Sequence, residues 1–143
     1  MNNTEKALNF FKGSYSCSQS VFAAYSEKFG IKEKDALKIA LGFGGGVGRT
    51  QDICGAVTGA IMVMGCRYSD ENDIEGSKEI VYSKTKELIT KFKKIHNNID
   101  CLDLTGVDFS KEGGRELFKN LNIHENKCKG YIVNVCKILE ELI

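Results

Sequence analysis

The chain predicts an all-α fold, a compact bundle of about five to seven helices forming one domain over residues 1–143. Apolar residues recur at steps of three and four almost throughout, the spacing of one helix face. The 143 residues contain no proline, which suits a helical chain with few rigid turns. No segment shows the strict alternation of a half-buried strand.

The elements follow in chain order. Thr4 can cap a first helix through Ala7, Leu8 and Phe11, which stops near Gly13. Ser14 or Ser16 then caps a second, with Val21, Phe22, Tyr25 and Phe29 on one face and Gly30 as its stop. The run KEKDALKIALGF reads as a short third helix leading into a glycine cluster. Thr50 or Asp52 can cap a fourth, from about Ile53 to Gly65, apolar nearly all round and therefore central. A long amphipathic helix follows, with Val81, Leu88, Phe92 and Ile95 as its buried stripe, and ends near Asn97-Asn98. A short segment carries Cys101, Leu102 and Leu104 and breaks at Gly106; another short helix holds Leu117, Phe118 and Leu121. In the last helix Cys128, Ile132, Val135, Leu139 and Leu142 form the inward stripe, with Cys128 at the helix start.

Composition narrows the function. A net charge of +1 gives no field that points to nucleic acid or to an anionic membrane. The longest apolar run, Ala60 to Gly65, is too short to span a bilayer. The N-terminal MNNTEKALNFFKG lacks the basic and apolar regions of a secretory signal, so a cytoplasmic location is expected. Six cysteines in such a compartment are not permanent disulfides; they point to redox chemistry or metal binding, against the plain reading of small buried hydrophobes.

The stretch GFGGGVGRTQDICGAVTG, Gly42 to Gly59, is the most distinctive in the chain. It is not a P-loop, because no lysine stands where that pattern needs one. It is not the dinucleotide fingerprint either, because Val47 occupies the third glycine position after Gly42 and Gly44. What remains is a flexible loop delivering a helix N-terminus with Cys54 in its first turn. There the helix dipole, helped by Arg49, favours the thiolate that attacks disulfides or binds metals. Gly55, Ala56 and Gly59 leave room for another helix or a partner sulfur. Cys17, Cys101 and Cys128 repeat the placement at the start of a helix or short segment. Cys66 and Cys136 do not, and read as packing residues.

These cysteines and the glycine run give the chain its likeness. It resembles the redox-active C_GCAxxG_C_C proteins, a family named for its cysteine pattern, through SCSQSVFAAYSEKFG, the glycine run with its CGAxxG box, CLDLTGVDFSKEGGRE and CKGYIVNVCKILEEL. The resemblance covers nearly the whole chain. It implies a small helical domain whose four characteristic cysteines match Cys17, Cys54, Cys101 and Cys128, in a family regarded as redox-active on the strength of those residues.

Two chemistries use the same four side chains. In the first, the protein works by thiol–disulfide exchange or electron transfer and needs no cofactor, with Cys54 attacking and Cys17 resolving the mixed disulfide. In the second, Cys17, Cys54, Cys101 and Cys128 hold zinc or an iron–sulfur cluster. None of the four has zinc-ribbon or ferredoxin spacing, and His96 and His124 read as surface residues rather than ligands. A third reading is a helical interaction protein with inert thiols, in which KFKKIH is a solvated face with Phe92 and Ile95 turned inward. The expected partner is a redox protein or small molecule, and a homo-oligomer is compatible with the sequence.

Overall fold

A computed structural model describes residues 1–143. The chain is 75% helical, with eight α-helices and no strand. They are α1 (Asn3–Lys12), α2 (Cys17–Ser26), α3 (Glu33–Ala40), α4 (Gly55–Tyr68), α5 (Ile74–His96), α6 (Cys101–Thr105), α7 (Gly114–Asn120) and α8 (Lys129–Leu142). Two of them, α6 and α7, are very short, which takes the count past the five to seven expected.

The cap of α1 is Asn2 rather than Thr4. Its side chain accepts from the Glu5 N–H while the Glu5 carboxylate accepts from the Asn2 N–H, so two orphan donors are satisfied together. Ser16 caps α2 in the same reciprocal way with Gln19. Gly30, at φ +77°, closes the 3-10 turn that follows α2.

Packing centres on α2 and α4. Helix α2 lies against α1, α3 and α4, while α8 covers α1, α4 and α5. From Ser18 to Ser26 every α2 residue is buried, a wider surface than one apolar face. The buried polar groups are mostly paired: Ser18 Oγ donates to the Ala40 carbonyl at 2.9 Å, and Gln19 Nε2 donates to the Leu37 carbonyl at 2.8 Å. Both carbonyls belong to the last turn of α3, so the first turn of α2 and the last turn of α3 are fixed to each other.

The last helix buries Ile132, Val135, Leu139 and Leu142 as its spacing predicts. Cys128 is buried too, but it follows a π-helical turn, His124–Cys128, and already has helical φ/ψ. It therefore stands inside a continuous helical path, not at a free N-terminus. The stripe of α5 is narrower than expected: Leu88 and Phe92 are fully buried, whereas Ile95 is 55% exposed. On and after α7, Leu117 and Leu121 are exposed and only Phe118 packs inward. No helix is long and apolar enough to cross a membrane.

Candidate functional site

Cys17, Cys54, Cys101 and Cys128 all line one cavity of about 790 Å³ between the glycine loop, α2, α6, α7 and the start of α8. Cys66 and Cys136 lie outside it; Cys136 is fully buried in α8 and Cys66 is half-buried against the core.

The glycine run explains how the walls come so close. Gly45, Gly46, Val47, Gly48 and Arg49 have successive φ values of +65°, +66°, +69°, +59° and +63°. Left-handed backbone costs about 1–2 kcal/mol for a residue with a Cβ and almost nothing for glycine, so three glycines carry most of the turn. The turn closes through wide backbone bonds, Gly48 N–H to the Gly42 carbonyl at 2.9 Å and Asp52 N–H to the Gly46 carbonyl at 2.7 Å. A Cβ on Gly46 would stand 2.6 Å from Cys101 Cβ, so only glycine lets Cys101 into the wall. A Cβ on Gly55 would stand 3.2 Å from Cys17 Cβ and 3.0 Å from the Ser18 N, and one on Gly59 would meet the Ser18 carbonyl at 2.8 Å. The helix admitted beside Cys54 is thus α2, and it brings Cys17.

Cys54 and Cys101 are joined by a short antiparallel pairing. The Cys54 N–H donates to the Ile99 carbonyl at 2.7 Å and the Cys101 N–H donates to the Asp52 carbonyl at 2.7 Å, around a single bridge between Ile53 and Asp100. As a result α4 starts at Gly55, two residues later than expected, and Cys54 is its N-cap. Neither Thr50 nor Asp52 caps it; Thr50 Oγ1 donates to the Gly46 and Val47 carbonyls of the left-handed turn.

That placement reverses the expectation for Cys54. Burial pushes its thiol up to about 12, although the Ala56 and Val57 N–H groups at the helix start pull the other way. With 5% of its surface exposed, desolvation of a thiolate outweighs the dipole. Cys101 is raised to about 11, first by burial and then by the Cys128 charge, with a bond from Gln51 opposing. The lowered thiol is Cys128, because the Cys17 side chain hydrogen-bonds to it and stabilises its charged form. Cys17 is correspondingly raised well above the ordinary value, first by that bond with Cys128 and then by burial.

Two cavity neighbours are absent from the sequence reading. Gln51 is buried at φ +60°; its Nε2 donates to the Val107 carbonyl at 2.7 Å and its Oε1 accepts from the Phe109 N–H at 2.8 Å. It thereby pins the segment after α6 to the glycine loop. Tyr131, one turn after Cys128, donates through its hydroxyl to the Leu104 carbonyl at 2.5 Å, and burial raises its phenol, with the charges of Cys128, Cys54 and Cys101 adding to the shift. Both lie in distinctive stretches of the sequence, but their partners are distant along the chain, so spacing alone does not mark their roles.

One of the two histidines departs from the surface reading. His96 is half-buried, packs on Phe92 and Tyr131, and has Nε2 2.9 Å from Asn134 Nδ2. His124 is exposed but lines the cavity between Phe11 and Phe118. No three His, Cys, Asp or Glu side chains come together at metal-binding spacing.

Comparison with known proteins identifies the family. A family model described as "Putative redox-active protein (C_GCAxxG_C_C)" matches residues 15–142, which include all four cavity cysteines. An Archaeoglobus fulgidus protein named "Uncharacterized protein" is 30% identical over 117 residues, covering 73% of this chain and 77% of its own. No solved structure matches. The chain is a member of the C_GCAxxG_C_C family.

Proposed function

We propose that the cavity performs thiol–disulfide exchange, with Cys128 as the attacking thiolate and Cys17 as the resolving thiol. The observation that carries this reading is that Cys17 and Cys128 line one cavity, where their interaction lowers Cys128 and raises Cys17. A lowered thiol is the better nucleophile near neutral pH, and its partner lines the same cavity.

The steps balance. Cys128 Sγ⁻ attacks one sulfur of a disulfide RS–SR, forming Cys128–S–SR and releasing RS⁻. Loss of the Cys128 charge removes what held the proton on Cys17. The first RS⁻ or solvent takes that proton, and Cys17 Sγ⁻ attacks Cys128 Sγ. The second RS⁻ leaves and is protonated by solvent. The protein ends with one disulfide, and the substrate ends as two thiols. The reverse sequence reduces the protein. Cys54 and Cys101 stay protonated at neutral pH, so they add no negative charge that would push Cys17 up further.

Thiol titration after treatment with a small disulfide tests the scheme. The wild-type chain should lose two thiols and retain no adduct. Cys17→Ser should stop at a stable mixed disulfide on Cys128, and Cys128→Ser should lose most of its rate. Equal rates in wild type and Cys128→Ser would refute the assignment.

A further inference from the structure

The cavity mouth carries Arg49, Arg115 and Lys119, against a single carboxylate, Glu116. None of these three cations takes part in an ion pair, although four such pairs form elsewhere on the surface. No side-chain hydrogen bond uses them either, and all three are exposed. In a chain of net charge +1, this is a local excess of positive charge placed over the cysteines. Deeper in the cavity, Leu104, Phe109 and Phe118 give an apolar lining around the sulfurs. We infer that the exchange substrate is a small acidic disulfide, its carboxylates held at the mouth by Arg49, Arg115 and Lys119 and its sulfurs reaching Cys128. This inference rests on the exchange reading given above.

Size and burial favour a small molecule. A cavity of about 790 Å³ falls within the roughly 300–1,000 Å³ of ordinary ligand sites. Cys128 is only 7% exposed and Cys54 only 5%, so a disulfide on the surface of a folded protein would not reach them without opening the walls. Charge separates the candidates further. Cations at a water-facing rim raise the local concentration of an anion and its rate of capture, and they repel a cation equally. The effect weakens with salt because the groups are exposed.

The test compares three disulfides on the reduced protein: oxidised glutathione, which is anionic, hydroxyethyl disulfide, which is neutral, and cystamine, a dication. Each rate is divided by the rate of the same disulfide with dithiothreitol, which removes intrinsic reactivity. The expected order is anionic, neutral, cationic, with about tenfold or more between the extremes at low ionic strength, shrinking as salt is added. The double variant Arg115→Gln/Lys119→Gln should narrow the spread. A flat order, or cystamine fastest, overturns the inference while leaving exchange at Cys17 and Cys128 standing. If none of the three oxidises the wild-type chain, the exchange reading itself fails and the substrate class falls with it.

Discussion

Cys17, in the first turn of α2, and Cys128, the residue before α8, line one cavity and interact through their thiols. The contact sets opposite directions for the two thiols, and it should be visible in their reactivity. Cys17→Ala removes the donor, so the Cys128 thiol should move back up. Thiolate fraction then falls tenfold per unit while nucleophilicity rises about threefold, leaving Cys128 alkylation at pH 7 about threefold slower per unit of change. Iodoacetamide labelling followed by mass spectrometry reads this directly; an unchanged rate would mean the bond does not govern Cys128.

The left-handed turn makes a prediction about stability. Gly46→Ala puts a Cβ 2.6 Å from Cys101 Cβ and 2.7 Å from the Asp52 carbonyl at φ +66°, and should cost about 2–4 kcal/mol in urea unfolding. Gly65, inside α4 with nothing within 4 Å of an added Cβ, is the opposite case: Gly65→Ala should stabilise by about 0.5–1 kcal/mol.

Gln51→Ala leaves the Phe109 N–H without its partner and the Val107 carbonyl with only the long bond from Thr105 Oγ1 at 3.5 Å. An unpaired buried group costs about 1–3 kcal/mol, so the loss should be on the order of 2–4 kcal/mol for the pair. Because Gln51 also lowers Cys101, the same variant should raise that thiol further and slow its labelling at high pH. A stability change without any effect on Cys101 would separate the two roles.

Buried thiols also make the fold sensitive to alkali. Cys54 titrates near 12 and Cys136 near 11 in the folded chain, against an ordinary value of 9.0. Their folded values are raised, so their contribution is whole below pH 9.0 and is lost as pH climbs through 11 to 12. Each buried thiol steepens the fall by up to about 1.4 kcal/mol per pH unit. Cys136 lies away from the cavity, so the difference in slope between wild type and Cys136→Ala isolates one such group. Identical slopes would contradict its burial as a neutral thiol.

How much of this was legible in the sequence depended on range. Ser16 with Gln19 is a local capping box, and the spacing Ile132, Val135, Leu139, Leu142 is one face of one helix; both are readable from neighbours alone. Asn2 displaced Thr4 because the capping box is made with Glu5, one choice among several polar residues at a chain end. The cysteine set was marked by its residues and by the glycine run. The role of each cysteine was not, because Cys54 is governed by how deeply α2 and the Ile99–Cys101 segment bury it, and Cys128 by a sulfur from a distant part of the chain. Gln51 and Tyr131 were hidden for the same reason: their partners, Val107, Phe109 and Leu104, are set by tertiary folding.

The account turns on which sulfurs join when the chain is oxidised. The direct measurement is peptide mapping without reduction, after one equivalent of a small disulfide and quenching of remaining thiols in acid. The predicted product is a single intramolecular Cys17–Cys128 link, with Cys54, Cys66, Cys101 and Cys136 recovered as free thiols. A dominant Cys54–Cys101 link, or no intramolecular link at all, would contradict it.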